Sequence, residues 1–462
     1  MTPTPPAPRF ARELRTSATL AAPLVLGHLS TGLIGFVDSV IAGHHGTQTL
    51  AAVAVGTALF WLPMMVPMGT LMAFPPSVSQ LDGAGRRDEI APLFRQALWL
   101  AAMLGVVLFA FLSVVTVALE PMGIAPEIRP GAVGFLHGIR WGVPALTLYL
   151  CMRYLSDGLH WTLPTMVLGF GGLVVLVPLG YALTWGVGGL PELGAEGLGL
   201  ASATMMWAQA LAFFVYLRRS KRFESLRLFA HFEWPKWPVL KSLLATGLPI
   251  GVTVMMEGGL FIATALLIGR LGGVEVAAHQ IAINVSSLCF MIPFGLAEAT
   301  TVRVGHALGR GDRDGLRRAA FAGFTLMFAT QAVSGVLLLF GNHQLASLYT
   351  TDSAVAALAA TLLLYAAAFQ FPDGVQVLSA GALRGLQDTR RPMLLAAFAY
   401  WGVGMPLGAG LGLGLGWGPQ GMWMGLIVGL TTAAVLLSTR FLRSSKRTPM
   451  DVGMAPAMTD GA

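Results

Sequence analysis

The feature that most constrains this chain is a series of apolar stretches, each long enough to cross a bilayer. A transmembrane helix needs about 20 residues, and such stretches follow one another along almost the whole sequence. They lie near residues 16–43, 50–80, 92–119, 131–152, 160–186, 196–217, 242–270, 275–307, 317–341, 353–383, 392–416 and 420–440. Composition agrees, since 55% of the 462 residues are hydrophobic, 11% are charged and the mean hydropathy is +0.70. The chain is therefore predicted to be an all-α polytopic membrane protein with about twelve transmembrane helices.

Basic residues predict the orientation of the chain. If both termini are cytoplasmic, every Lys and Arg except Arg129, Arg140 and Arg270 lies in an inner loop or at an inner helix end. That asymmetry is the positive-inside rule, and it favours an even number of spans. The net charge of +7 is thus attributed to topology. A nucleic-acid partner is not expected, because no basic cluster sits on a soluble domain.

The N-terminus and the cysteines give no sign of processing or of a disulfide framework. The segment 1–15 shows no signal-peptide cleavage site, so the first helix is expected to stay as an anchor. Cys151 and Cys289 fall inside predicted spans in opposite halves, which favours buried thiols. No resident cofactor is expected.

A constant shift along the chain, the one that carries Pro23 onto Pro249, superposes the first half on the second. The same shift pairs Gly32 with Gly258, Gly46 with Gly272, Pro67 with Pro293, Gly69 with Gly295, Gly85 with Gly311, and Arg87 with Arg313. The predicted organisation is a tail (1–15), a lobe of helices 1–6 (16–217), a linker (218–241), a lobe of helices 7–12 (242–440) and a second tail (441–462). Two pseudo-symmetric six-helix bundles of this kind suit alternating access, and the basic linker is expected to be a solvated connector.

Asp38, Glu257 and Asp373 are acids in the interior of apolar stretches. An ionised side chain there costs roughly 2.5–3.5 kcal/mol on insertion scales, so such residues usually serve ion transport. Under the repeat shift Asp38 falls on Thr264 and Glu257 on Thr31, so the acids do not follow the repeat. We predict that all three take part in cation coupling.

Polar residues at helical spacing form three stripes in the second half. These stripes are Thr253, Glu257 and Thr264; Gln280, Asn284 and Ser287; and Gln370, Asp373 and Gln376. The first-half counterparts of the middle stripe are Ala54, Ala58 and Trp61, which cannot ligate an ion. The main ion site is therefore placed in the second half, where Glu257 and Asp373 would bind sodium or a proton. The alternative for the amides and hydroxyls is simple helix–helix bonding.

Four strings resemble the multidrug and toxic compound extrusion (MATE) transporters, and among them the bacterial NorM type. The strings are GFVDSVIAGHHG around Asp38, WLPMMVPMGTLMAFPPSVSQLDGAGR from Trp61, AAHQIAINVSSLCFMIPFGLAEATTVRVGHALG from Ala277, and FQFPDGVQVLSAGALRGLQDTRRP from Phe369. The resemblance implies two six-helix lobes in the bacterial inner membrane and export of amphipathic, often cationic drugs against sodium or proton entry. It also implies that the ion-site acids are Asp38, Glu257 and Asp373.

Two departures from the family pattern concern the predicted sites. Where the family commonly has asparagines, this chain reads Val177-Pro178-Leu179-Gly180. The polar site of the first lobe is therefore expected to have fewer polar side chains. An aromatic hydroxyl near the acid of the tenth helix is replaced by Phe369, whose ring face can still meet a cation. Phe261 is a candidate for lining an adaptable apolar cleft for the substrate, and ordinary helix packing is the alternative for such residues.

Other functions remain open at the level of sequence. A lipid or polyprenyl flippase on the same scaffold is the main alternative. An embedded enzyme is disfavoured because the sequence places no clustered set of carboxylates or Cys at metal-ligand spacing from His279 or His306. The expected partners are the bilayer, small drug molecules and a monovalent cation, and the protein is expected to act as a monomer.

Overall fold

The computed structural model describes residues 9–189 and 191–447. Its helices are α1 (Arg9–His45), α2 (Thr47–Leu71), α3 (Phe74–Gly83), α4 (Ile90–Val115), α5 (Arg129–Ile139), α6 (Val143–Gly158), α7 (Leu163–Trp185), α8 (Ala195–Arg219), α9 (Lys221–Glu224), α10 (Trp237–Ile268), α11 (Gly273–Gly309), α12 (Arg313–Tyr349), α13 (Ser353–Gly385), α14 (Arg390–Ala397), α15 (Met405–Ala409) and α16 (Gly418–Arg447). Most of the N-terminal tail and the end of the C-terminal tail lie outside the described residues.

Eleven helical stretches in the described part of the chain are long and apolar enough to cross a bilayer. The remaining predicted span, 131–152, corresponds to α5, a 3-10 turn and α6, which follow one another from Arg129 to Gly158. His137 and Arg140 lower the hydropathy of that stretch. The prediction of an all-α polytopic membrane protein is confirmed.

Two predicted spans are interrupted in ways that the apolar pattern does not show. The span 50–80 contains α2 and α3, separated by the turn at Met72 and Ala73. The span 392–416 contains two π-helical segments, Phe398–Gly404 and Gly410–Gly414. A π-helical segment pairs residues five apart, which widens the helix and re-aims its side chains.

The chain divides into two compact units whose boundaries fall inside helices. Of the described residues, one unit contains those between 26 and 251, and the other contains 9–25 with 252–447. The division therefore cuts α1 and α10, the first helix of each repeat. The lobe boundaries expected from the sequence remain a prediction.

Glycines paired by the repeat occupy equivalent places in the structure. Gly85 and Gly311 both have positive φ, 74° and 69°, a region that only glycine enters at little cost. A Cβ built on Gly69 of α2 would lie 2.6 Å from the Cα of Gly251 on α10. One built on Gly295 of α11 would lie 2.9 Å from the backbone nitrogen of Val25 on α1. Since the repeat shift also carries Val25 onto Gly251, the repeat preserves this helix crossing.

The linker between the repeats is attached to α4 by side-chain hydrogen bonds. Arg95 donates to the carboxylate of Glu233 and to the carbonyl of Leu228. Gln96 donates to the carbonyl of Trp234 and accepts from the backbone N–H of Lys236. The indole of Trp99 donates to the carbonyl of Glu233. The side chains of Phe232, Trp234 and Trp237 remain exposed beside this attachment. The linker is thus attached to α4, while most of its residues stay exposed. Its expected role as a solvated connector stays a prediction.

Candidate functional site: buried carboxylates on α10 and α13

Two of the predicted acids come together in the unit that contains residues 252–452. Glu257 lies in the middle of α10, and Asp373 lies in the middle of α13. Gln376 follows Asp373 by three positions, so both side chains project from the same face of α13. The structure therefore joins the first and third predicted stripes.

A single amide connects the two carboxylates. Gln376 Nε2 donates a hydrogen bond to Glu257 Oε1 at 2.7 Å and a longer one to Asp373 Oδ1 at 3.3 Å. The hydroxyl of Tyr400 donates to Gln376 Oε1 at 2.8 Å. Both ends of the amide are thereby engaged, with its NH2 group directed at negative groups.

Burial makes this group of side chains sensitive to charge. Asp373 and Gln376 are 3% and 2% exposed, and Tyr400 is fully buried, whereas Glu257 is half-buried. The buried guanidinium of Arg384, on the same helix as Asp373, acts electrostatically on Glu257. Two ionised carboxylates beside one neutral amide repel each other in a low-dielectric site. A proton or a monovalent cation bound by them relieves that repulsion.

Three aromatic side chains, on α10, α13 and α16, pack against one another in the same unit. The ring of Phe369 packs edge-on against Phe261 at 6.0 Å and against Trp423 at 5.7 Å between ring centroids. The indole of Trp423 donates to His279 Nδ1 at 3.2 Å, which engages that histidine in the core. The predicted residues Phe261 and Phe369 are thus in contact with each other.

The middle stripe is not part of this cluster. Gln280, Asn284 and Ser287 share an exposed face of α11, and the hydroxyl of Ser287 donates to the carbonyl of Ile283. The buried face of this part of α11 carries Ala278, Ile281, Ala282 and Val285, together with His279 and Ser286. The role of these three residues as lining for an ion or substrate stays a prediction.

Gln370 and Thr253 flank the cluster one turn away. Gln370 is 2% exposed, and its side-chain amide has no hydrogen-bond partner within the described residues. Its backbone carbonyl accepts a hydrogen bond from Gln331 Nε2 at 3.1 Å. Thr253 is half-buried one turn before Glu257 on α10. The role of Gln370 and Thr253 as lining for an ion or substrate stays a prediction.

Asp38 occupies a different environment in the unit of residues 26–251. It is 8% exposed, and its Oδ1 atom has no hydrogen-bond partner among the residues that the structure describes. The buried hydroxyl of Ser202 on α8 lies beside it. Nearby, a Cβ built on Gly180 would lie 3.1 Å from Ile41, so apolar packing fills the place beside this glycine. The first-half site is an acid beside a hydroxyl.

Sequence reasoning missed several polar residues in and around the second-half site. They are Tyr400, Trp423, Gln331 and Arg384. The signal was available, because Tyr400, Trp423 and Gln331 are polar side chains within apolar stretches and Arg384 directly follows one. What the sequence does not show is which of these stretches face one another.

Comparisons with known proteins identify the family. Residues 23–182 and 249–409 match the sequence profile of the MatE family, and the second match begins at Pro249, onto which the repeat shift carries Pro23. The chain belongs to the MatE family. It is a NorM-type MATE transporter rather than an enzyme, and it is a multi-pass protein of the bacterial inner membrane with a role in multidrug efflux.

Close relatives cover nearly the whole MATE chain. A probable multidrug resistance protein NorM from Xanthomonas campestris pv. campestris is 68% identical over 449 residues, which are 97% of this chain and 98% of the relative. Multidrug resistance protein PmpM from Pseudomonas aeruginosa is 44% identical over 448 residues, covering 95% and 93%. The sequence-based resemblance is therefore confirmed.

Solved structures show the same fold. The eukaryotic MATE transporter AtDTX14 matches with a TM-score of 0.84 at 18% identity, covering 95% of this chain and 99% of that chain. An outward-facing multidrug resistance MATE transporter matches with a TM-score of 0.86 at 18% identity, covering 95% and 98%. The predicted fold of two pseudo-symmetric helical bundles is confirmed.

Proposed function

We propose that this MATE protein is a cation-coupled antiporter that exports amphipathic, often cationic drugs by alternating access. The observation that carries the proposal is the shared amide of Gln376, which binds the carboxylates of Glu257 and Asp373 together inside the membrane-spanning part of the chain. Entry of a sodium ion or a proton neutralises this pair, and its release restores the charge that a cationic substrate can meet. The coupling ion and the substrate thereby compete for one set of acids.

The driving force of one cation is sufficient for useful export. An inward monovalent cation yields about 2.3 kcal/mol per 100 mV, and a tenfold concentration gradient adds about 1.4 kcal/mol. Together these support a gradient of several hundredfold, about 3.7 kcal/mol, for a neutral drug exchanged one for one. Orientation with both termini in the cytoplasm and function as a monomer belong to the same proposal.

The test is dye efflux from proteoliposomes with sodium and pH gradients imposed separately. We expect the wild-type protein to transport dye out of the proteoliposomes against the dye gradient when a gradient of one of the two ions is imposed. Glu257→Gln and Asp373→Asn keep the size of each side chain but remove its charge, and each is expected to abolish ion-driven efflux. The exposed acid Asp314, in the first turn of α12, supplies the matched control Asp314→Asn, which should transport normally.

Two outcomes would overturn the proposal. Ion-driven dye efflux at the wild-type rate in both site variants would remove Glu257 and Asp373 from coupling. Transport of lipid-linked substrates without any dye transport would instead support a flippase. Neither outcome affects the assignment of the chain to the MatE family.

A further inference from the structure

The π-helical segment Phe398–Gly404 places two neighbouring aromatic residues against the two helices that carry the acids. Tyr400 is fully buried and reaches Gln376 on α13. The indole nitrogen of Trp401 donates to the carbonyl of Met256, the residue before Glu257 on α10, at 3.3 Å. Such π-helical segments often occur at functional sites because they present side chains that a regular helix would turn away.

The hydroxyl of Tyr400 fixes which way the amide of Gln376 points. An amide next to two carboxylates is best placed with its NH2 group toward them and its oxygen away. That oxygen then needs a donor, and in this buried position Tyr400 provides it at 2.8 Å. Without that donor, the amide oxygen would be buried and unpaired, which lowers the cost of rotating the amide once a bound ion has neutralised the carboxylates.

We propose that Tyr400 is a positioning residue that tunes the release of the coupling ion by holding the oxygen of Gln376 away from the carboxylates. This inference rests on the proposed function. With the hydroxyl present, only the carboxylates of Glu257 and Asp373 offer oxygen to an entering ion from this group, and the amide NH2 stabilises them after the ion has left. Without the hydroxyl, the amide can turn its carbonyl oxygen toward the ion. Amide oxygens are good ligands for hard cations and good acceptors from a protonated acid.

The test compares Tyr400→Phe with Tyr365→Phe, a matched control on the partly buried Tyr365 of the same core. In proteoliposomes, the concentration of the coupling ion that gives half-maximal dye efflux is measured together with the maximal rate. For Tyr400→Phe we expect the half-maximal concentration to fall about threefold to tenfold, the effect of one neutral hydrogen bond. The maximal rate should fall as well, because release becomes harder. Tyr365→Phe should leave the half-maximal concentration unchanged.

A second variant keeps the test decisive if Tyr400→Phe folds poorly. Replacement of Tyr400 by 3-fluorotyrosine preserves the ring and the hydroxyl but makes the hydroxyl a stronger donor, so the half-maximal concentration should rise. A purely structural role for Tyr400 would lower the maximal rate or the thermal stability without changing the half-maximal concentration of the coupling ion. That result would overturn the role of Tyr400 but leave the proposed function standing. Wild-type efflux that depends on neither ion would overturn the proposed function as well.

Discussion

The two halves of this MATE protein share a scaffold but differ in the chemistry that they bury. In the second half, Glu257 and Asp373 share the amide of Gln376, whose other end is held by Tyr400. In the first half, Asp38 stands beside a hydroxyl and keeps one oxygen unpaired within the described part of the chain. The repeat preserves helix crossings and turns, such as those of Gly69 and Gly295, because backbone geometry depends on small residues.

The comparison shows that the two halves keep the same helix crossings and turns, whereas their buried polar side chains differ. A pair of acids with a shared donor can exchange one charge while the other remains compensated. Among the described side chains, Asp38 has no second carboxylate of this kind beside it. A change in its charge is therefore compensated only by the groups of the surrounding helices. We therefore expect the two halves to contribute unequally to coupling.

The largest expected effect separates the two carboxylate sites. Asp373→Asn should reduce ion-driven efflux by about a hundredfold or more, since it removes a charge that the coupling ion must neutralise. Asp38→Asn should reduce it by about tenfold or less, because the first-half site holds one acid and little other polar lining. Initial rates of dye efflux at equal amounts of reconstituted protein measure both variants.

Equal loss in the two variants would contradict the inequality of the halves. Expression and monodispersity in detergent should match the wild type, because both substitutions preserve side-chain volume. If Asp373→Asn kept the wild-type rate of ion-driven dye efflux and Asp38→Asn lost it completely, the main site would have to be assigned to the first half.

A smaller effect is expected at the equivalent helix crossings. Gly69→Ala would place its new carbon 2.6 Å from the backbone of Gly251, and overpacking of this kind costs about 1–3 kcal/mol. Gly295→Ala would meet the side chain of Val25 at 2.6 Å and its backbone nitrogen at 2.9 Å, so it should also be destabilising, but less than Gly69→Ala because its backbone contact is longer. Thermal unfolding midpoints in detergent report the difference.

Gly171→Ala is the matched control for both crossings, since a Cβ there meets nothing within 4 Å. It should be neutral or slightly stabilising because alanine favours the helix. Unchanged midpoints in Gly69→Ala and Gly295→Ala would show that the paired glycines do not serve close packing.

The smallest effect concerns the turns after Gly85 and Gly311. Asp312 caps α12 by accepting the N–H of Gly315 at 2.7 Å, whereas its counterpart Arg86 makes no capping bond. Loss of such a cap costs about 1 kcal/mol, so Asp312→Ala should lower the thermal midpoint slightly. Asp312→Asn, which keeps a capping oxygen, should lose less.

This cap also has a defined dependence on pH. The N–H of Gly315 and the charges of Arg318 and Arg310 hold the pKa of Asp312 below its ordinary value. A lowered pKa stabilises the fold above the unfolded value of about 3.9, and that stabilisation is lost as the pH falls through the folded value. The difference between wild type and Asp312→Ala should therefore be equal at pH 8 and pH 6 and should shrink only below about pH 4. A difference that disappears between pH 8 and pH 6 would refute the ionised cap.

The sequence by itself determined the membrane class, the duplication and the positions of the acids. Apolar length dictates helices in a bilayer, because every backbone hydrogen bond must be satisfied within the chain. One constant shift pairs the glycines and prolines of the two halves, and the two MatE family matches start at Pro23 and Pro249, which that shift also pairs. The cost of a buried charge makes Asp38, Glu257 and Asp373 candidates from the sequence alone.

Only the tertiary structure decided which polar groups meet. It brought Tyr400 to Gln376 from a π-helical segment, and it left Gln280 and Asn284 on an exposed face despite their helical spacing. Periodicity assigns a residue to one face of its own helix, but it carries no information about the helix packed against that face. Partners separated along the chain are fixed by packing between helices, and that packing depends on the whole fold.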